Sequence, residues 1–217
     1  MTTEMPSWPE IQNWAKHRGL AIVGVDEAGR GPLFGPVVAG ACLLAEPNPI
    51  DGLACSKTLS DKARVRLFDS IRMHSKAWAV GISSVEEIDE LNILQASLLA
   101  MRRAVDQVVD KAGLNPEQCL VLVDGNKLPA WSYLSKSIVK GDALVPSISA
   151  GSIVAKVSRD EWCREQALVW PQYELDVHMG YPTPRHLELL RRHGASPLHR
   201  RSFRPVREIL STSREVF

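Results

Sequence analysis

The sequence has no long hydrophobic run. Its longest apolar-or-glycine stretch, Val37 to Ala45, falls far short of the ~20 residues that cross a bilayer. That excludes a membrane-spanning helix. The first six residues, Met1-Thr2-Thr3-Glu4-Met5-Pro6, have neither a basic region nor an apolar core, so no secretory leader is expected. Cysteine is sparse: Cys42, Cys55, Cys119 and Cys163 are scattered, with no C-x-x-C pair, and buried reduced thiols in a cytoplasmic protein are expected. Net charge is nearly absent, with 26 basic against 25 acidic residues. There is no internal repeat and no low-complexity linker. What remains is 45% hydrophobic and 24% charged over 217 residues, which excludes a disordered chain, a collagen or a coiled coil. The length suits one domain with a small appendage and a core that needs no disulfide or structural metal.

The balance of charge is not local. Arg185 to Arg207 holds seven arginines and one acid, Glu188, so this segment carries +6 and the remainder −5. A basic block on an otherwise acidic chain suits a polyanion such as nucleic acid, and equally a solvated helix face.

Periodicity predicts the elements. A short helix is expected around Trp8 to Lys16. The run Ala21-Ile22-Val23-Gly24-Val25 is a short β-branched strand ending in Asp26. Val37 to Leu44 and Ala77 to Ile82 read as further strands, and Ser60 caps a helix over Asp61 to His74. Apolar residues at steps of three and four from Val85 to Val109 predict one long amphipathic helix, stopped by Gly113. Cys119 to Val123 is again a strand ending in an acid, Asp124, and Ser137 to Val139 a brief strand before Gly141-Asp142. Ser149 is expected to cap a helix to about Val169, ended by Pro171, with short helices at about Pro184 to His193 and Pro205 to Leu210. Strands, then alternating strand and helix, then helices predict an α/β sheet with a helical C-terminal lobe.

Two strands thus deliver acids to their ends, Asp26-Glu27 and Asp124, and a third acid, Asp142, follows a short strand. A single such aspartate is ordinarily a turn residue or a helix cap. If the strands are neighbours, the carboxylates converge, and two anions about 4 Å apart repel by about 4 kcal/mol at an effective dielectric of ~20. Divalent cations remove that cost, and sites made only of carboxylates prefer Mg²⁺ or Mn²⁺. Two such ions would hold an attacking water and a leaving oxygen in line on a phosphodiester.

Between the first two strands lies Gly29-Arg30-Gly31, followed by Pro32-Leu33-Phe34-Gly35-Pro36. No helix opens there and no Gly-Lys-Ser/Thr ends it, so it is neither a dinucleotide fingerprint nor a P-loop. It is either a tight turn or a loop whose main chain approaches a ligand closely.

The stretch Asp26-Glu27-Ala28-Gly29-Arg30-Gly31-Pro32-Leu33-Phe34-Gly35-Pro36-Val37 resembles the signature of bacterial ribonuclease HII, the type 2 ribonuclease H. The resemblance continues in order through Ser56-Lys57, Val123-Asp124-Gly125, Lys140-Gly141-Asp142 and Ile148 to Asp160. It ends with His178 to Thr183 and Arg200-Arg201-Ser202-Phe203, spanning about residues 20 to 207. It implies a ribonuclease H-like five-stranded mixed sheet flanked by helices. Residues 20–207 would be the catalytic domain, with a helical lobe at about 160–210, a lead-in at 1–19 and a tail at 208–217. It also implies endonucleolytic cleavage of RNA in RNA–DNA hybrids and at single ribonucleotides in duplex DNA. Cleavage would fall on the 5′ side of the ribonucleotide and leave 5′-phosphate and 3′-hydroxyl ends, using two Mg²⁺ or Mn²⁺ ions.

By the resemblance, Asp26, Glu27, Asp124 and Asp142 fall on the metal-binding catalytic acids. Gly29, Arg30 and Gly31 fall on the loop that recognises the ribose 2′-hydroxyl, and Tyr181 on the tyrosine that senses the ribonucleotide–deoxyribonucleotide junction. Lys57, Lys140, Arg200, Arg201 and Arg204 would hold phosphates, making binding steeply salt-dependent. Four positions depart from the family pattern: Cys55 stands for an aspartate, Thr58 for a lysine, Phe34 for a small residue and Gly151 for alanine. A monomer suffices. A replication clamp is a further partner to consider, although Ser211 to Phe217 shows no clear docking motif.

Two alternatives compete: a two-metal phosphatase, which would not need the basic tail, and a nucleic-acid binder without activity, which would lack one of the four acids. His178, His186, His193 and His199 raise a zinc site, but their spacing lacks an i, i+4 pair, and surface or nucleic-acid-contacting histidines are expected.

Overall fold

A computed structural model describes residues 7–53 and 59–212. Cys55, Thr58, Lys57 and the tail from 213 onward, with the clamp-docking question that falls on it, lie outside the described residues. The five strands are β1 (Ala21–Ala28), β2 (Val37–Leu43), β3 (Ala77–Ser83), β4 (Cys119–Asp124) and β5 (Leu134–Ile138). They form one mixed sheet in the order β3-β2-β1-β4-β5. β2 pairs antiparallel with β1 and β3, whereas β1–β4 and β4–β5 are parallel. The five-stranded mixed sheet flanked by helices is therefore present as expected.

Nine α-helices surround it among the described residues: α1 (Trp8–His17), α2 (Asp61–His74), α3 (Val85–Leu91), α4 (Ile93–Lys111), α5 (Gly141–Leu144), α6 (Pro146–Val169), α7 (Leu175–His178), α8 (Pro184–His193) and α9 (Arg204–Thr212). Three expectations need correction. The single helix from Val85 to Ala112 is two, α3 and α4, broken at Asn92. Asn92 takes a positive φ of 70°, which asparagine tolerates better than most residues, and its side chain accepts from the amides of Leu94 and Gln95 to restart the helix. The helix expected to begin at Ser149 begins at Pro146, whose missing N–H costs nothing in a first turn, and Ser149 is buried inside it. β5 starts at Leu134, ahead of the expected Ser137.

Both faces of the central strands are covered, which explains why β2 is buried along its whole length. On one face Val23, Val25, Ala39 and Ala41 pack under the α4 residues Ala100, Ala104 and Val108. On the other, α6 lies across β1 and β2 with Ile153, Val154 and Val157, joined by Phe68 and Ile71 of α2. Glycine sets that approach. A methyl built on Gly24 would stand 2.1 Å from the Ser147 carbonyl carbon, and one on Gly151 would stand 2.6 Å from the Gly40 carbonyl oxygen. Gly151 thus departs from the alanine pattern where α6 touches the strand backbone.

The β3 edge is closed by side chains. Arg103, Gln107 and Lys111, one turn apart on α4, donate to the carbonyls of Ile82, Val80 and Trp78 at 2.6, 3.0 and 3.1 Å. Residues four apart on a helix thereby meet alternate carbonyls of a strand and satisfy an edge that would otherwise invite pairing.

The C-terminal lobe has its own small cores, and the loop after β1 supplies part of both. Phe34 packs with Tyr173, Leu175 and Leu189, while Leu33 packs with Leu190 and Val206. Cys42, Cys119 and Cys163 are buried free thiols, and burial pushes the Cys42 thiol up to about 12.

Candidate active site

The parallel register puts Val25 beside Val123, so the next residues, Asp26 and Asp124, stand at adjacent strand positions. Strand alternation then divides the β1 pair. Asp26 lies toward α6, where Ser152 hydrogen-bonds its carboxylate, and its Oδ1 accepts from the Glu27 amide at 2.7 Å. Glu27 lies toward α4 and pairs with Arg30 at 3.2 Å. Asp142 enters from α5, and its amide donates to Asp124 Oδ1 at 3.3 Å. All four acids are thereby brought to one end of the sheet.

Their electrostatics are unfavourable without a counter-charge. Burial, then the charges of Glu27 and Asp124, hold the Asp26 carboxyl well above the usual range. Burial also raises Glu27, against the lowering by Arg30. The donor set is entirely carboxylate oxygen, which fits a hard dication and not a soft one. Among the described residues, no three histidine, cysteine or acid side chains already converge on one point at ligating distance. A cavity of about 230 Å³ beside the acids is lined by Glu27, Arg30, Asp124, Asn126 and Lys127, with Ser97 and Leu98 of α4 behind.

The glycine loop adjoins this end. Gly29 has φ +95°, and the space its side chain would need is filled by Arg159, whose Nε would be 2.1 Å from a Gly29 Cβ. Gly31 is exposed, and a methyl there would stand 3.3 Å from Tyr181 Cε1. The structure therefore brings together Gly31 and Tyr181, 150 residues apart in sequence, with Tyr181 42% exposed beside the loop. Arg30 is exposed, as are Lys140 and Arg201, while Lys57 lies outside the described residues.

Arg200 requires a correction. Expected as a phosphate contact, it is fully buried. Its Nε donates to the Gly35 carbonyl at 2.8 Å, Nη1 to Arg30 at 3.1 Å, and Nη2 to Gly29 and Pro36 at 2.6 and 3.0 Å. Burial lowers its pKa to about 9. Of the adjacent arginines, Arg201 is the exposed one; its amide and that of Ser202 are held by Asp89.

The histidines also differ from expectation, because three of the four are buried in the lobe. Their hydrogen bonds force the tautomers. Gly180 N–H donates to His178 Nδ1, so His178 Nε2 carries the proton given to the Tyr173 carbonyl. Ser196 N–H donates to His199 Nδ1, so His199 Nε2–H donates to His186 Nε2 at 3.3 Å. That leaves His186 Nδ1–H for the Tyr181 carbonyl at 2.9 Å. All three rings are neutral and every ring nitrogen is engaged. Burial, with the neighbouring histidines, lowers His186 to about 4 and His199 to about 3. Of these four, His193 is the exposed one.

Sequence reasoning missed Ser152, Arg159 and the role of Phe34. Ser152 and Arg159 lie in the matched stretch from Ile148 to Asp160, and Phe34 stands out only as a departure from a small residue.

Comparison with known proteins gives a consistent result. The family model described as Ribonuclease HII matches residues 23–206. A protein of Polaromonas sp. named Ribonuclease HII is 54% identical over 189 residues, covering 87% of this chain and 92% of its own. The structure of ribonuclease H2 from Pyrococcus horikoshii OT3 matches with a TM-score of 0.69 at 26% identity, over 90% of this chain and 100% of that one. Bst-RNase HIII in complex with Mn²⁺ matches with a TM-score of 0.69 at 18% identity, over 93% of this chain and 73% of that one, a likeness of fold.

Proposed function

The chain belongs to the ribonuclease HII family, a family of metal-dependent ribonucleases H, and from that membership we propose a specific reaction for it. It hydrolyses RNA in RNA–DNA hybrids and cuts duplex DNA at single embedded ribonucleotides. The cut falls on the 5′ side of the ribonucleotide and leaves a 5′-phosphate and a 3′-hydroxyl. The observation that carries the reading is the meeting of Asp26 and Asp124 on adjacent parallel strands, with Asp142 bonded to Asp124 and the glycine loop alongside.

Asp26, Glu27, Asp124 and Asp142 would hold Mg²⁺ or Mn²⁺, two ions during catalysis. Bound there, divalent cations would polarise the phosphodiester and lower the pKa of water. A Mn²⁺ complex is known for the similarly folded Bst-RNase HIII. Ser152 keeps the Asp26 carboxylate oriented and favours its charged form. Main-chain groups at Gly29 and Gly31 read the ribose 2′-hydroxyl, which both donates and accepts and so distinguishes RNA from DNA. Tyr181, against Gly31, stacks on the adjoining sugar and favours one without a 2′-hydroxyl. Arg30, Lys140, Arg201 and Lys57 hold phosphates. Residues 20–207 are the catalytic unit, acting as a monomer in the cytoplasm.

The test is a labelled DNA duplex with one ribonucleotide, incubated with Mg²⁺ or Mn²⁺ beside an all-DNA control. One nick 5′ of the ribonucleotide and none in the control is the expected result. Equal cutting of both duplexes overturns the specificity.

A further inference from the structure

Two buried guanidiniums lie under the loop that carries Gly29 to Gly31. Arg200 binds the carbonyls at both ends of that loop, Gly29 and Arg30 at one and Gly35 and Pro36 at the other, and its own amide donates to the Leu33 carbonyl at 2.8 Å. Arg159, 1% exposed, reaches from α6 in two directions. Nη2 donates to the Phe34 carbonyl at 3.1 Å, and Nη1 to the Met179 carbonyl at 2.9 Å. One side chain thus bridges the glycine loop and the segment that presents Tyr181. Its Nε has no hydrogen-bond partner, and its stem fills the place of the absent Gly29 side chain.

Burying two cations is costly. Ordinary packing would be served by apolar side chains of similar volume. What a planar fork adds is several donors at fixed angles, which can hold separate carbonyls at set distances. The carbonyls held here belong to the loop and to the tyrosine segment, with the Cys163 thiol as a further partner of Arg159 and the Phe203 ring, 5.1 Å away, as a further partner of Arg200.

We propose that Arg159 and Arg200 are positioning residues that determine ribonucleotide specificity: Arg200 holds the shape of the Gly29–Gly31 loop, and Arg159 fixes its distance to Tyr181. This rests on the reading of the loop and Tyr181 given above. The two roles differ in consequence. Loosening Arg200 disturbs recognition of every ribose. Loosening Arg159 disturbs only substrates that engage the loop and Tyr181 together, namely a ribonucleotide followed by a deoxyribonucleotide.

Lysine is the informative replacement at both positions, because it keeps the charge but offers its donors from one atom. A displacement of a positioning element by about 1 Å costs about 100-fold in rate. Arg159→Lys is expected to lose about that factor in kcat/KM on the single-ribonucleotide duplex relative to a hybrid with a long RNA tract. Arg200→Lys is expected to lose a similar factor on both substrates. In each variant the Mn²⁺ concentration for half-maximal activity stays unchanged, since the acids are not touched. A folded Arg159→Lys protein that keeps the wild-type ratio between the two substrates overturns the proposal.

Hydrogen exchange of the unmodified protein gives an arm independent of activity and of whether the variants fold. The amides of Leu33, Gly35 and Arg200 donate to Gly180, Leu198 and Leu33. They are expected to exchange as one unit with one denaturant dependence. Independent exchange overturns the clamp. If the wild type nicks no ribonucleotide while these amides exchange together, the functional reading fails and the clamp stands.

Discussion

The acid cluster on the sheet and the glycine loop held by the lobe are built on opposite terms. On the sheet side, Asp26, Glu27 and Asp124 repel one another, and burial adds to the cost of their charges. On the lobe side, the glycine loop is stapled by Arg200, bridged by Arg159 and plugged by Leu33 and Phe34 into two small cores. The first side carries a cost that a bound dication would relieve; the second is held by hydrogen bonds and packing within the chain. Ion capture can tolerate side chains that rotate, because the ion itself organises its ligands. The hydroxyl recognition proposed for the loop cannot, because a main-chain amide has no rotamer with which to follow a misplaced sugar.

If this division is right, losing a carboxylate and losing a loop anchor should have opposite signatures. Asp124→Asn removes charge stabilisation worth several kcal/mol, so nicking should fall by at least about 10³-fold. Its melting temperature in chelator should rise slightly, since one source of the repulsion on Asp26 is gone. A melting temperature that falls instead would show the acids to be part of the scaffold. Phe34→Ala should do the reverse. It empties a fully buried ring site bounded by Trp162, Tyr173 and His199, at centroid distances of 5.9, 6.3 and 5.0 Å. The loss of stability, read from urea unfolding, should be about 3–5 kcal/mol. Metal affinity of the fraction that remains folded should be unchanged.

The same division explains what could be read from the chain alone. Asp26 and Asp124 were legible because each closes a short β-branched run, and strand length and alternation are local properties. Arg200 was not. Beside Arg201 it looks like half of a solvated pair, and its burial is decided by carbonyls more than 160 residues earlier. Phe34 looked like an intrusion into a loop of small residues until the lobe supplied its pocket. Asn92 was missed because the apolar rhythm of α3 runs on into α4 across the break, and one residue with positive φ leaves no trace in periodicity. Local chemistry was visible; the long-range closure of the lobe on the loop was not.

Metal provides the next test of the comparison, because it should stabilise the sheet side alone. A ligand that binds only the folded state at 100 times its Kd adds about 2.7 kcal/mol. Mg²⁺ or Mn²⁺ titrated into the chelated protein should raise the melting temperature accordingly, and the rise should vanish in Asp124→Asn. Hydrogen exchange of the lobe amides at low denaturant should not respond. A metal-dependent slowing in the loop around Leu33 and Gly35 would mean that the two sides are coupled.

Acid titration separates the sides by sign. Asp26 and Glu27 have raised folded pKa values, so in chelator the folded state holds their protons longer than the unfolded chain does. Their contribution to stability therefore falls as pH rises from about 4 through those folded values. The buried histidines do the opposite. His178 is lowered, His186 lies at about 4 and His199 at about 3, so protonation favours the unfolded chain. Their contribution is intact above about 6.5 and is lost as pH falls toward 4, by up to about 1.4 kcal/mol per pH unit for each histidine. Urea unfolding of wild type and Asp26→Asn across pH 4 to 7 isolates the two limbs. The difference between the curves should be the carboxylate limb, declining with pH, and the variant should show the histidine limb rising more steeply. Parallel curves would mean that neither burial nor the charges of Glu27 and Asp124 make the Asp26 carboxyl hold its proton longer in the folded protein than in the unfolded chain.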